Sequence, residues 1–146
     1  MVDDEKDVIT AHILEVLDFE LSNRDFAIDV DFVEMVIERP YITYVPKAEY
    51  FIKGVMNLRG RIVPVIDLST LLGIEENTEQ NKVLVLKVKD IEVGFLVNNV
   101  REVIRITEND IDKPVGTKNV DQKTKGIIKY DDRLIVYLDA EKIIEV

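Results

Sequence analysis

The sequence predicts an all-β protein built from small barrels or a sandwich, and three observations carry that prediction. Apolar residues fall in short runs broken at regular spacing by turn residues, as in Lys82–Val88 and Ile91 to Val97 around Lys89-Asp90. Helical signals are confined to one-turn segments, so the long crossover helices that a parallel α/β sheet requires are missing. Finally, the chain repeats itself. Lys53-Gly54-Val55-Met56-Asn57-Leu58-Arg59-Gly60-Arg61-Ile62-Val63-Pro64-Val65-Ile66-Asp67 lies without a gap over Lys125-Gly126-Ile127-Ile128-Lys129-Tyr130-Asp131-Asp132-Arg133-Leu134-Ile135-Val136-Tyr137-Leu138-Asp139. Upstream, residues 26–37 match residues 93–104, with Val30/Val97, Val33/Val100, Val36/Val103 and Ile37/Ile104 in register. Two matches in the same order describe a duplicated β unit of about seventy residues, close to the lower end of ordinary domain sizes.

Residues 1–12 have weak periodicity and read as a loose lead-in, with the folded domain running over 13–146. From Ile13 to Leu21 apolar and polar residues settle into a period of two, which is a strand. Ser22 to Asp25 is a turn, Phe26 to Asp29 is the return strand, and Phe32 to Ile37 is another strand after a kink at Val30-Asp31. Tyr41 to Pro46 is expected to be extended, since residues before proline avoid helical torsions. Lys47 to Ile52 is expected to make one helical turn. Val55 to Leu58 and Ile62 to Ile66 then form a hairpin with Arg59 at its tip, because Gly60 takes positive φ without strain. Pro64 has no N–H to donate, so its strand is expected to be an edge, or bulged, at that residue. Asp67 caps a short helix over Leu68 to Leu72, closed by Gly73.

Glu75 to Asn81 is a polar joint between the two units. The second unit repeats the plan with strands at 82–88, 91–97 and 100–106, a turn at 107–111, and a long polar loop over 112–124 containing Pro114 and Gly116. The hairpin Gly126 to Asp139 and a helix over Ala140 to Glu145 complete it. On this reading barrel one covers approximately 13–76 plus a C-terminal segment, and barrel two approximately 82–139.

Composition excludes several classes of function. The chain has 146 residues, 47% hydrophobic and 33% charged, and no apolar run near the roughly 20 residues of a membrane span. Its acidic start lacks the basic and apolar regions of a secretory signal, so a cytoplasmic protein without membrane insertion is expected. The absence of cysteine removes disulfides, thiolate metal sites and thiol nucleophiles. Asp and Glu number 29 against 19 Lys and Arg, a net charge of −10, which disfavours nucleic acid and anionic lipid and leaves a protein partner.

No catalytic constellation emerges. No carboxylate spacing marks an acid/base pair, His12 has no evident partner, and metal-loop and phosphate-loop spacings are absent. No enzyme activity, cofactor or metal is expected. Arg59, at a hairpin tip among apolar neighbours, is the unusual residue. A small-barrel ligand- or nucleic-acid-binding module is the alternative. It would need a basic groove with stacking aromatics, and Tyr41, Tyr44, Tyr50 and Phe51 stand near scattered positive charge.

Phe51 to Leu68, with Ala27-Ile28-Asp29-Val30, Val33-Glu34-Met35-Val36 and Glu92 to Val100, resembles the signature of the bacterial chemotaxis coupling family CheW. The likeness runs from about Ile13 to Ile144. It implies two intertwined five-stranded SH3-like β-barrels with short helices, and a non-catalytic adaptor. Its implied partners are the cytoplasmic tip of methyl-accepting receptors and the regulatory domain of the histidine kinase CheA, whose autophosphorylation the receptors control. By motif, the resemblance puts Val33, Arg59, Val100 and Val103 on the receptor side and Ile28, Val30 and Gly54 toward the kinase. Where some members carry a glutamate two residues after the valine matching Val33, this chain has Met35.

Overall fold

The computed structural model describes residues 12–75, 78–113 and 122–145. In chain order these form β1 (Ile13–Leu21), β2 (Arg24–Asp29), a 3-10 turn (Val30–Phe32), β3 (Val33–Glu38), β4 (Ile52–Leu58), β5 (Arg61–Asp67), α1 (Leu68–Leu72), β6 (Lys82–Val88), β7 (Ile91–Val97) and β8 (Asn99–Thr107). A second 3-10 turn (Glu108–Asp110), β9 (Ile111–Asp112), β10 (Thr124–Tyr130), β11 (Arg133–Leu138) and α2 (Ala140–Ile144) follow. The expected lead-in at 1–11, and Pro114 and Gly116 of the long loop, lie outside the described residues.

The protein is mostly β, in two sheets. The first has the order β8-β1-β2-β11-β10-β9 and the second β3-β6-β7-β5-β4. Setting aside the two-residue β9 and numbering the remaining strands one to five within each repeat, both sheets read 3-1-2-5-4. Each takes its first hairpin from one half of the chain and its third, fourth and fifth strands from the other. The halves are therefore exchanged, and neither sheet is complete without both.

The repeat holds to the level of single pairs. The parallel join between β2 and β11 pairs Ala27 with Tyr137, and the join between β7 and β5 pairs Gly94 with Val65, the equivalent residues. Register shifts fall between Ile52 and Gly54 in β4 and between Thr124 and Gly126 in β10. At both bulges a passing strand comes too close for a side chain. A Cβ on Gly54 would lie 2.2 Å from the carbonyl oxygen of Thr43, and one on Gly126 would lie 2.6 Å from that of Asp112. Thr43 bridges Val55 just as Asp112 pairs with Ile127, again at equivalent positions.

Three apolar clusters follow from strand alternation. On β1, Leu17, Phe19 and Leu21 point to a large cluster shared by both sheets, while Val16 joins the interior of the first barrel. On β6, Leu84, Leu86 and Val88 enter the shared cluster, and Val83 and Val85 fill the second barrel. Strands buried on both faces read as near-continuous apolar runs. That is why Lys82–Val88 shows little alternation.

Two local expectations are corrected. Lys47 to Ile52 forms turns instead of a helical turn, because Lys47 takes φ +66°, outside the helical region. Pro64 is not on an edge: β5 lies between β7 and β4, and the bulge is on β4. Counting from the closing pair Leu58/Arg61, Val55/Pro64 is a non-hydrogen-bonded pair, so β4 asks no donor of Pro64. The ladder to β7 begins only at Val65. The helix caps are as expected: Asp67 accepts a hydrogen bond from Thr70 N at 3.3 Å, and its repeat-mate Asp139 from Lys142 N at 3.1 Å.

Candidate functional site: an inter-barrel face and two barrel ends

The shared cluster reaches the surface along the edge strands β3 and β8. Val33 opens β3 and Val100 lies near the start of β8, and both are half-buried against it. Val103 pairs with Leu17 and so faces the same side, yet it is 51% exposed. Its repeat-mate Val36 pairs with Leu84 on that side and is 41% exposed. Val36 was not among the residues singled out from sequence, although the duplication pointed to it.

Arg59 sits where expected, in the two-residue turn between β4 and β5. Both turn residues have positive φ, 53° for Arg59 and 88° for Gly60, the geometry that matches strand twist. The turn is held by Gly60 N donating to Asn57 Oδ1 at 2.9 Å. Next to it, Arg61 grips Glu92 with two hydrogen bonds of 2.8 Å. Those bonds, with a lesser one to Glu34, pull the Glu92 carboxyl down to about 2. Glu34, in turn, is raised chiefly by its hydrogen bond with Glu92. This charged row links β3, which carries Val33, to the hairpin whose tip is Arg59. Arg59 itself makes no ion pair with another described residue and is left exposed.

The residues expected toward the kinase belong to different sheets. Ile28 is fully enclosed in the shared cluster, and Val30 lies half-buried in the 3-10 turn where the chain leaves the first sheet. Gly54 is buried at the β4 bulge beneath Thr43. Ile28 presents no surface and can affect contact only by supporting its neighbours.

Two polar clusters escaped the sequence reading. Asp18, fully buried on β1, is bonded by Arg133 of β11 at 2.7 Å, and Arg133 also approaches Asp25 at 3.4 Å. Burial raises the Asp18 carboxyl, against the pull of Arg133. Arg101 adds Asp25 at 3.0 Å and Glu20 at 3.5 Å. At the other end of that barrel, Tyr137 donates its hydroxyl to Asp29, which also pairs with Lys125 at 2.9 Å. Burial first, then that hydrogen bond, raises the Tyr137 phenol. Period-two alternation assigned Asp18 no partner, and nothing local couples it to a residue 115 positions away.

Among the described residues no group of three or more metal-ligating side chains is placed to hold an ion, and no helix is long and apolar enough to cross a membrane.

Comparison with known proteins agrees with this architecture. A family model described as the CheW-like domain matches residues 15–146. The chain is 51% identical to the chemotaxis protein CheW of Thermotoga maritima over 132 residues, covering 90% of this chain and 87% of that protein. It is 34% identical to CheW of Bacillus subtilis, covering 87% and 84%. The crystal structure of the scaffolding protein TtCheW from Thermoanaerobacter tengcongensis superposes with a TM-score of 0.83 at 31% identity, covering 92% of this chain and 94% of that one. The two small barrel-like sheets, the fold of that scaffold and the extent of these matches lead to one conclusion: the chain belongs to the CheW-like family.

Proposed function

We propose that this protein is a non-catalytic chemotaxis adaptor that joins the cytoplasmic tip of methyl-accepting receptors to the regulatory domain of the histidine kinase CheA, in the cytoplasm, so that receptor state controls kinase autophosphorylation. The observation that carries this reading is the apolar cluster shared by two exchanged barrels and flanked by exposed valines on both edge strands. A receptor's helical hairpin presents an apolar stripe, and an apolar groove with a few orienting polar groups suits it. Val33, Val36, Val100 and Val103 supply the apolar contact. Arg59, which makes no ion pair with another described residue, offers a five-donor fork to a carboxylate or to helix-end carbonyls.

The kinase is assigned to the barrel surface around Val30 and the Gly54 bulge, with Ile28 supporting it from within. Two surfaces on different elements let one small protein hold two partners at once. The test is co-elution of the purified chain with a receptor cytoplasmic fragment and with the kinase regulatory domain, separately and together. Binary complexes with each and a ternary complex with both are expected. Failure to bind either one, or strict competition between them, overturns the bridging role.

A further inference from the structure

Lys53 and Lys125 are equivalent in the repeat, each directly preceding the bulge glycine of its strand. Their surroundings differ. Lys125 is neutralised within the protein, with Nζ 2.9 Å from Asp29 Oδ2 and 5.1 Å from the centre of the Tyr137 ring. In the other barrel the counterparts of Asp29 and Tyr137 are Leu96 and Val65, both fully buried. Lys53 therefore lacks that anion and that ring. It is exposed, and it makes no ion pair with another described residue.

The surface beside Lys53 is built and aromatic. A cleft of about 600 Å³ is lined by Arg39, Tyr41, Tyr44, Tyr50, Lys53 and Asp67 among others, a volume in the range of ligand and short-peptide sites. The three tyrosines are 85%, 75% and 73% exposed. Its walls are tied down: Thr43 and Val55 exchange backbone hydrogen bonds of 2.8 and 2.9 Å, Asp67 N donates to Phe51 O at 2.8 Å, and Arg39 N donates to Asn81 O at 2.9 Å. The one acid among its described lining residues, Asp67, is turned to other work, accepting from Ser69 Oγ at 2.7 Å and capping α1. Exposed tyrosines and arginine are the residue types that interfaces favour.

We propose that this cleft docks an acidic peptide segment of another protein. Carboxylates of the segment would pair with Lys53 and Arg39, and a proline or aromatic side chain between them would stack on Tyr41, Tyr44 and Tyr50. Charge argues for a short acidic segment over a nucleic acid. A cationic spot in a chain of net charge −10 attracts a few carboxylates. A polyphosphate backbone needs several cations in a row and is repelled by the rest of the surface. The cleft flanks the Gly54 bulge that the adaptor reading gives to the kinase, while neither Arg59 nor the valine groove takes part; peptide binding is read on the chain alone, without kinase or receptor, so the two readings stand or fall separately.

The chain has no tryptophan and five tyrosines, three of which line the cleft, so tyrosine emission reports directly on it. The probe is the peptide acetyl-Glu-Asp-Pro-Phe-Asp-amide, with its Gln/Asn counterpart and a hexathymidylate as controls, each titrated while emission and backbone amide shifts are followed. The acidic peptide is expected to quench emission and shift amides of residues 39–53, with affinity falling as salt rises. Lys53→Glu is expected to weaken it about tenfold or more, the usual scale for reversing a charge at a small polar interface. Lys53 is exposed, so this variant is expected to fold, and unchanged amide shifts outside the cleft check that. Absence of shifts with any probe, equal binding of the neutral peptide, tighter binding of the oligonucleotide, or full affinity in Lys53→Glu would each overturn the proposal.

Discussion

Arg133 Nη1 lies 2.7 Å from Oδ2 of the fully buried Asp18, tying β11 to β1 across 115 residues of sequence. The second carboxylate oxygen of Asp18 has no hydrogen-bond partner among the described residues, so this one arginine carries most of the compensation. Breaking a buried pair from one side strands a charge, whereas replacing both sides with apolar groups of similar volume does not. Arg133→Ala is therefore expected to destabilise the fold by about 3 kcal/mol, and the double variant Asp18→Leu/Arg133→Met by much less. Urea midpoints for the two variants decide the matter; equal losses would mean that the pair is not acting as a pair.

The bulge glycines are set apart from the turn glycine by what surrounds them. An added methyl at Gly54 meets backbone at 2.2 Å, while at Gly60 it meets nothing within 4 Å and only the φ of 88° opposes it. Gly60→Ala is expected to cost about 1 kcal/mol, the ordinary left-handed penalty. Gly54→Ala must displace the Thr43 strand and is expected to cost more, about 2 to 3 kcal/mol. Thermal melts that rank the two in the opposite order would refute the close approach seen at the bulge.

Asp67 supplies a pH signature. Burial pushes its carboxyl up, but hydrogen bonds from Ser69, Thr70 and Gln80 outweigh burial and hold it below the usual carboxylate range. A carboxyl lowered by folding stabilises the protein at neutral pH, and that contribution is lost as pH falls through its folded value. Asp67→Ala should thus cost about 1 kcal/mol at neutral pH as a lost cap, with the gap to the parent narrowing as pH falls below the ordinary Asp value of about 4. A gap that stays constant over that interval would argue against the lowered carboxyl.

Val65 and Ile62 lie on the same strand with opposite environments. Val65 is fully buried in the second barrel, and Ile62 is 67% exposed. Val65→Ala is expected to cost about 1 to 3 kcal/mol through loss of buried methyl groups and the space left behind. Ile62→Ala should stay within about 0.5 kcal/mol. Chemical denaturation distinguishes them directly.

Arg59→Glu separates fold from contact. The side chain is exposed and makes no ion pair with another described residue, so stability should change by no more than about 0.5 kcal/mol. Affinity for a receptor cytoplasmic fragment is expected to drop, while affinity for the kinase regulatory domain is retained. Undiminished receptor binding by a folded Arg59→Glu protein would remove Arg59 from the receptor face.

Much of this molecule was legible from residue order because its grammar is local. Turn pairs such as Arg59-Gly60 and Lys89-Asp90, the Asp67 cap, and the ungapped match of 53–67 with 125–139 each express a constraint that neighbouring residues satisfy among themselves. Pro64 shows where such reading fails. The rule that proline avoids sheet interiors is sound, but whether a missing N–H matters depends on which neighbour strand would have used it. Here neither does, because Val55/Pro64 is a non-bonded pair and β7 joins one residue later.

By itself the sequence determined the all-β class, the duplicated unit, the strand-turn-strand order and the arginine at the hairpin tip, since periodicity, turn torsions and helix caps act over a few residues. Only the tertiary structure decided which strands the halves exchange, that Val36 joins Val103 beside the shared cluster, and that Arg133 answers Asp18. Those relationships join residues tens to more than a hundred positions apart, and pairing between distant strands is set by the mutual burial of whole sheets, which no local pattern encodes.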